Sequence, residues 1–168
     1  AGWVLVRGGR VVLGSARELR VRPHGEGVGQ SAVIHGLLDS DLADATDEAA
    51  LLDALMPVLA GRAIAAHAAM IERRFLNALL ARCGGVPLPH AYIDTLSLER
   101  LLRETEGSGG AAPEPPGALT LPTARARRGL PPHGQHAAGA DAVACAELLL
   151  AQVAHLGGNA TVRLRDLA

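Results

Sequence analysis

The chain has 168 residues, 49% of them hydrophobic, and 16 basic side chains against 17 acidic ones, for a net charge of -1. This length and composition predict one domain with a substantial core. The balanced charge excludes a histone-like binder, so any contact with nucleic acid would depend on local patches or bound cations.

Cysteine usage and hydropathy indicate a cytoplasmic protein without a membrane partner. Cys83 and Cys145 lack metal-ligand spacing, which disfavours structural zinc and a disulfide framework. No signal peptide and no apolar run long enough to span a membrane is present. The chain opens at Ala1 as if inside a strand, without an initiator methionine, so we expect a cropped domain.

The first predicted element is an antiparallel hairpin. Two Val- and Leu-rich runs, 3–6 and 11–21, flank Gly8 and Gly9, which allow the positive φ of a tight turn. A polar, glycine-rich loop follows and leads to His35. This histidine is either a turn residue or a substrate contact, and the sequence weights the two readings evenly.

Helices and short strands then alternate. Helix 68–82 is expected to bury Ile71, Phe75, Leu76, Leu79 and Leu80. Asp94 is placed to cap the helix after the last strand. The alternation consists of a helix over 47–60, a strand over 63–66, a helix over 68–82, a strand over 91–93 and a helix over 96–104.

The next part of the chain is less regular. Residues 105–117 are rich in Gly, Pro, Ala, Ser and Glu and indicate a flexible insertion. The helix predicted over 118–128 carries Arg125, Arg127 and Arg128. These arginines either form a solvated helix face, which is the commoner case, or steer phosphates.

The last helix is preceded by His136 and has Asp141 in its first turn. A carboxylate can hold a hard divalent cation and a neutral imidazole can accept a proton, which suits metal-assisted phosphoester hydrolysis. The simpler alternative is an acid that favours the helix macrodipole, next to a solvated loop histidine. Residues 157–168 form a tail or an edge strand.

Taken together, these segments resemble the DEDDh exonucleases, a ribonuclease-H-like family, and most closely the proofreading ε subunit of bacterial DNA polymerase III. The resemblance runs from about Trp3 to Val153. Its most specific part is His136-Ala137-Ala138-Gly139-Ala140-Asp141-Ala142, which matches the third motif, His-x-Ala-x-x-Asp-Ala. Ile34-His35-Gly36-Leu37 is similar to the His-Gly-Ile loop, and residues 66–77 are similar to the second motif. Ile93-Asp94-Thr95-Leu96 matches a strand-to-helix junction.

The resemblance implies an α/β fold over residues 1–156, with a mixed sheet, an antiparallel hairpin and flanking helices. It also implies two Mg²⁺ or Mn²⁺ ions, bound in part by Asp141 and Glu72, with His136 as the general base. By the same resemblance, a single-stranded DNA or RNA 3′ end would be the partner, together with a DNA polymerase subunit or fused domain. The substrate-binding residues that it implies are His35, Gly36, Leu37, His67 and Phe75.

Three positions depart from the family. No Asp-x-Glu occurs in the 168 residues, so the first strand, which carries the first motif, is missing and is expected upstream. Glu72 stands where the family has Asp, and Ala68 stands where it has Asn.

The expected function is 3′→5′ hydrolysis of terminal phosphodiesters to nucleoside 5′-monophosphates, with the isolated 168 residues inactive. The alternative is a catalytically degenerate module that binds nucleic acid or protein. A weaker alternative is an oligoribonuclease-like enzyme.

Overall fold

The computed structural model describes residues 1–22, 45–107, 115–134, 137–157 and 167. Within these ranges the protein is mixed α/β, with five helices and two two-stranded sheets, which agrees with the expected class. The elements are β1 (Gly2–Arg7), β2 (Arg10–Glu18), α1 (Glu48–Leu59), β3 (Ile64–Ala66), α2 (Met70–Arg82), β4 (Tyr92–Asp94), α3 (Thr95–Thr105), α4 (Leu121–Arg127) and α5 (Ala138–Gly157).

The amino-terminal hairpin is confirmed. Strands β1 and β2 are antiparallel, and Arg7 faces Arg10 across the turn. Gly8 has φ 55° and Gly9 has φ 71°, so both occupy the left-handed region that a two-residue hairpin turn requires.

The second sheet is the parallel pair of β3 and β4, in which Ala66 is the register partner of Asp94. The chain must cross over between two parallel strands, and α2 makes this crossover. As predicted, the Asp94 side chain caps α3 by accepting a hydrogen bond from the Leu96 N–H. Both strands therefore end where helices α2 and α3 begin.

Helix α5 lies against both sheets and against α3 and α4. At its first turn, Gly2 approaches the backbone of Ala138 so closely that no Cβ would fit. Beside this contact, the Glu18 carboxylate accepts a hydrogen bond from the Gly139 N–H over 2.7 Å. This bond satisfies one of the free N–H groups at a helix N-terminus and fixes the open end of the hairpin to α5.

Leucines form the main core, between α1 and α2, with Trp3 of β1 and Ile64 of β3 packed against them. A smaller core lies on the α5 side, where Ile93 meets Leu98 and Leu149. The buried leucines of the main core are Leu51, Leu52, Leu55, Leu76, Leu79 and Leu80.

The expectation that α2 buries Ile71 and Phe75 is wrong. Ile71 is 66% exposed and Phe75 is 48% exposed. The buried face of α2 is centred on Leu76, and at 3.6 residues per turn Ile71 lies roughly 140° around the helix from it. Phe75 lies roughly 100° away, so the layer formed by α1 does not cover either side chain.

In the described part of the chain, α5 is the one helix long and apolar enough to cross a membrane. Core helices pass the same test, and α5 buries six residues inside the protein. Its length and composition are therefore weak evidence for a membrane span.

Several predictions from the sequence lie outside the described residues. They concern His35, Gly36, Leu37 and His136, as well as residues 108–114 of the predicted insertion. Of the predicted tail, the structure describes Gly157 and Leu167, and Leu167 packs against the smaller core.

Candidate functional site

The candidate site lies at the carboxyl end of the β3–β4 pair, where Asp94 links three segments. One carboxylate oxygen accepts hydrogen bonds from the N–H groups of Ala68 (2.9 Å) and Leu96 (3.0 Å). The other accepts a bond from the Ser97 hydroxyl over 3.0 Å. Asp94 is thus engaged in holding the start of α3 and the turn after β3.

Ala68 is the one non-glycine residue of the described chain with positive φ, at 65°. The Cβ of alanine disfavours this left-handed conformation, which Gly and Asn adopt more readily. The hydrogen bond from the Ala68 N–H to Asp94 helps to hold the turn in place.

Both ring nitrogens of His67 have hydrogen-bond partners. Nε2 lies 2.7 Å from the carbonyl oxygen of Leu119, and Nδ1 lies 2.9 Å from the Thr95 hydroxyl. Because a carbonyl oxygen can only accept, Nε2 must carry the hydrogen. His67 therefore connects the end of β3 to the turn before α4. It also lines a shallow, mostly apolar cavity of about 320 Å³ together with Leu96, Pro115 and residues 117–120.

Glu72, on the first turn of α2, is half-buried, and its Oε2 has no hydrogen-bond partner in the described structure. Burial raises the pKa of this carboxyl, and the nearby charge of Asp94 raises it further against an opposing hydrogen bond from the backbone. A buried acceptor without a partner costs free energy, and such groups in native proteins commonly have a role in binding or catalysis.

Asp141 lies in the first turn of α5, as predicted. Its Oδ1 is 3.1 Å from Nε2 of His133, a histidine of the loop between α4 and α5 that the sequence did not single out. Only the composition of that loop, with Pro, Gly and His, pointed to this residue. Among the described residues, His133 is thus the histidine that contacts Asp141, the expected metal ligand.

Cys145 lies one turn after Asp141 and faces the same end of the β3–β4 pair. Its Sγ is 3.7 Å from the Thr95 hydroxyl. Burial raises the pKa of the Cys145 thiol to about 11, and the charges of Glu72 and Asp94 contribute to this rise. Glu72 therefore lies close enough to Cys145 of α5 for its charge to act on the thiol.

Arg125 and Arg128 are buried and Arg127 is paired, so the predicted solvated helix face is wrong for Arg125 and Arg128, while the steering of phosphates stays a prediction. The guanidinium of Arg128 is 2% exposed and contacts the fully buried Glu99 over 2.9 Å. Arg127 reaches the same carboxylate over 2.8 Å. Burial raises the pKa of the Glu99 carboxyl, but hydrogen bonds from Arg128, Arg127 and Gln152 outweigh this effect and hold the pKa below its ordinary value.

Arg125 is also buried, and it binds the loop that carries His133. Its guanidinium donates to the carbonyl oxygens of Ala144, over 2.6 Å, and Pro131, over 3.0 Å. It also pairs with Glu147 over 2.8 Å. The pattern of charges along α4 does not reveal the contacts with Ala144 and Glu147, because these partners lie on α5, about twenty residues away in sequence.

The sequence-derived site residues are thus brought together only in part. His67 and Asp94 lie at the carboxyl end of the β3–β4 pair, and Glu72 is close enough to Asp94 for their charges to interact. Asp141 instead contacts His133, and Phe75 lies on the exposed side of α2. The described residues contain no group of three His, Cys, Asp or Glu side chains able to hold a metal ion. The sequence matches no protein-family model, and no curated protein and no solved structure matches it.

Proposed function

We propose that the chain is a 3′→5′ exonuclease-like domain of the DEDDh type, which acts on the 3′ ends of single-stranded DNA or RNA in the cytoplasm. The observation that carries the proposal is the half-buried carboxylate of Glu72, whose Oε2 has no hydrogen-bond partner in the described structure. It occurs at the position where the resemblance expects a metal ligand, on the first turn of α2 and close enough to Asp94 for the two charges to interact. A DNA polymerase subunit or fused domain would be its protein partner.

A ribonuclease-H-like sheet is part of this proposal. Two arrangements support it: both strand pairs lie against α5, and Trp3 of β1 packs on the same leucine core as Ile64 of β3. We infer that the hairpin and the parallel pair belong to one layer, with α5 on one side and the helices α1 and α2 on the other. In the family, the first strand, with the Asp-x-Glu motif, belongs to this layer.

The residues present fit a two-metal site in part. Two Mg²⁺ or Mn²⁺ ions would stabilise the charge on the attacking and leaving oxygens of the phosphodiester. Glu72 offers a free oxygen and Asp141 a half-exposed carboxylate, while His136 would accept the proton of the attacking water. Because the 168 residues contain no Asp-x-Glu, we expect them to bind a cation and a 3′ end without releasing nucleotides.

The first experiment measures Mn²⁺ affinity by isothermal titration calorimetry. Glu72→Gln and Asp141→Asn should each weaken binding at least about tenfold, since loss of even an outer-shell partner has effects of this size. Asp53→Asn is the matched control, because Asp53 is an exposed acid of α1, a helix that carries none of the candidate site residues. Equal Mn²⁺ affinity in all four proteins would contradict the proposed metal-binding role of both acids.

The second experiment follows a 3′-labelled oligonucleotide with Mn²⁺ present. Binding strengthened by Mn²⁺ and weakened by Asp141→Asn supports the exonuclease-like reading. The degenerate binding module is the second candidate, and it is favoured by the departures at Ala68 and Glu72. Oligonucleotide binding that is unchanged by Mn²⁺ and by Asp141→Asn would support the degenerate binding module.

A further inference from the structure

The amino-terminal hairpin is strongly basic, although the whole chain is nearly neutral. Residues 1–22 contain five arginines and a single acid, Glu18. That acid lies at the open end of the hairpin, where it binds the Gly139 N–H of α5. The turn end of the hairpin therefore carries positive charge without a nearby acid of the same element.

Two of the arginines face each other at the turn. Arg7 and Arg10 are register partners, and both are exposed. No hydrogen bond or ion pair joins either guanidinium to another residue of the described structure. Like charges directly opposite each other on neighbouring strands destabilise a hairpin. A bound anion between the two guanidinium groups would remove this repulsion.

The distance between the hairpin turn and the candidate site indicates how far a bound phosphate would lie from Asp141. The open end of the hairpin touches the first turn of α5, close to Asp141. From Gly2 to Arg7 the strand extends about 17 Å, at about 3.3 Å per residue. A stacked nucleic-acid strand rises about 3.4 Å per nucleotide, so roughly five nucleotides cover this distance.

We infer that Arg7 and Arg10 bind backbone phosphates of a single-stranded nucleic acid, roughly five nucleotides upstream of a 3′ end held near Asp141. This inference rests on the proposed function and adds to it a second contact along the substrate. The arginine pair recognises charge and spacing rather than bases, because no aromatic side chain lies in residues 4–22 to stack on them. A chain of regularly spaced phosphates suits this arrangement, and an acidic protein segment is the competing occupant.

The test compares the wild-type chain with the double variant Arg7→Gln/Arg10→Gln by fluorescence anisotropy on a labelled 12-mer oligodeoxythymidylate. Each lost phosphate contact lowers the slope of log K against log salt by about 0.7 for single strands. Two lost contacts should make the slope shallower by about 1.4, which weakens binding about 25-fold at 0.1 M salt relative to 1 M. The affinity for a trinucleotide, measured by competition, should not change, because it cannot reach the turn.

Arg82→Gln/Arg100→Gln is the control, because it removes the same net charge from helices α2 and α3. The inference is wrong if the control weakens 12-mer binding as much as the hairpin variant does. It is also wrong if trinucleotide and 12-mer are affected equally, or if a charge-matched polyglutamate displaces the 12-mer at equal concentration, which would assign the turn to acidic proteins.

The urea midpoint of the hairpin variant shows whether weaker binding reflects unfolding. Loss of two facing positive charges should leave the urea midpoint unchanged or raise it, so weaker binding would not reflect unfolding. If the wild-type chain binds neither Mn²⁺ nor the 12-mer, the proposed function fails together with this inference. If it binds both and the hairpin variant behaves as the wild type, only this inference fails.

Discussion

The buried carboxylate of Glu99 offers the sharpest test of how the helices are held together. Glu99 on α3 accepts hydrogen bonds from Arg127 and Arg128 at the end of α4 and from Gln152 on α5. Glu99→Gln keeps the shape of the side chain and removes its charge. The guanidinium of Arg128, which is 2% exposed, would then keep Glu106 as its carboxylate partner.

Removal of one partner from a buried ion pair costs about 3–5 kcal/mol when the remaining charge loses its compensation. Glu106, whose side chain is 38% exposed, offsets only part of this loss for Arg128. A single domain is stable by about 5–15 kcal/mol, so this loss is a large fraction of the whole. With a urea m-value of about 2 kcal/mol/M, a loss of 4 kcal/mol lowers the unfolding midpoint by about 2 M. Circular dichroism in urea measures this shift directly.

Arg82→Gln is the comparison, because Arg82 pairs with Glu48 in a two-point contact at the surface. Water screens this pair, so its loss should shift the midpoint far less. If Glu99→Gln shifts the midpoint no more than Arg82→Gln does, the buried pair does not stabilise the packing of α3, α4 and α5, and our account of these helices is refuted.

Three further predictions concern pH, backbone strain and thiol reactivity. The pKa of Glu99 lies below its ordinary value in the folded protein. The ionised Glu99 therefore contributes fully to stability above that ordinary value, and this contribution is lost as pH falls through the lower folded pKa. Between pH 7 and pH 3, the urea midpoint of Glu99→Gln should decline less than that of the wild type. Because Ala68 has a positive φ, Ala68→Gly should raise the free energy of unfolding by about 0.5–1 kcal/mol. Ala78→Gly, in the regular helix α2, should lower it by about 1 kcal/mol. Opposite signs of the two changes in one urea series would confirm strain at position 68. At pH 8 the buried thiol of Cys145, with a pKa of about 11, should resist iodoacetamide, whereas the exposed thiol of Cys83 should react. Equal labelling of the two cysteines, measured by mass spectrometry, would contradict the buried position of Cys145.

Local features of the fold could be read from the sequence because the relevant signals lie within a few residues of each other. Gly8 and Gly9 between two apolar runs predicted the hairpin, and Asp94 after a short apolar strand predicted a helix cap. In both cases the backbone requirement and the side chain that meets it are neighbours in the chain. The same holds for Asp141 in the first turn of α5.

Features that depend on distant partners could not be read in this way. The burial of Arg128 requires Glu99, 29 residues away, and a helical pattern of charges looks alike whether it faces water or a buried acid. Ile71 and Phe75 fit an apolar helix face, yet which face is covered depends on where α1 packs. Glu72 gave no signal of its own, because a lone acid on a helix acquires meaning only when its surroundings are known.

The contact between Glu18 and Gly139 also constrains the order of events during synthesis. The two residues are 121 positions apart, and ribosomes add about 5–20 residues per second. The hairpin can form within microseconds of its release, but its helical partner follows only after roughly 6–24 s. During that interval the basic hairpin lacks the contact that Glu18 later makes with Gly139. A nucleic acid bound at Arg7 and Arg10 would thus reach the hairpin before α5 does.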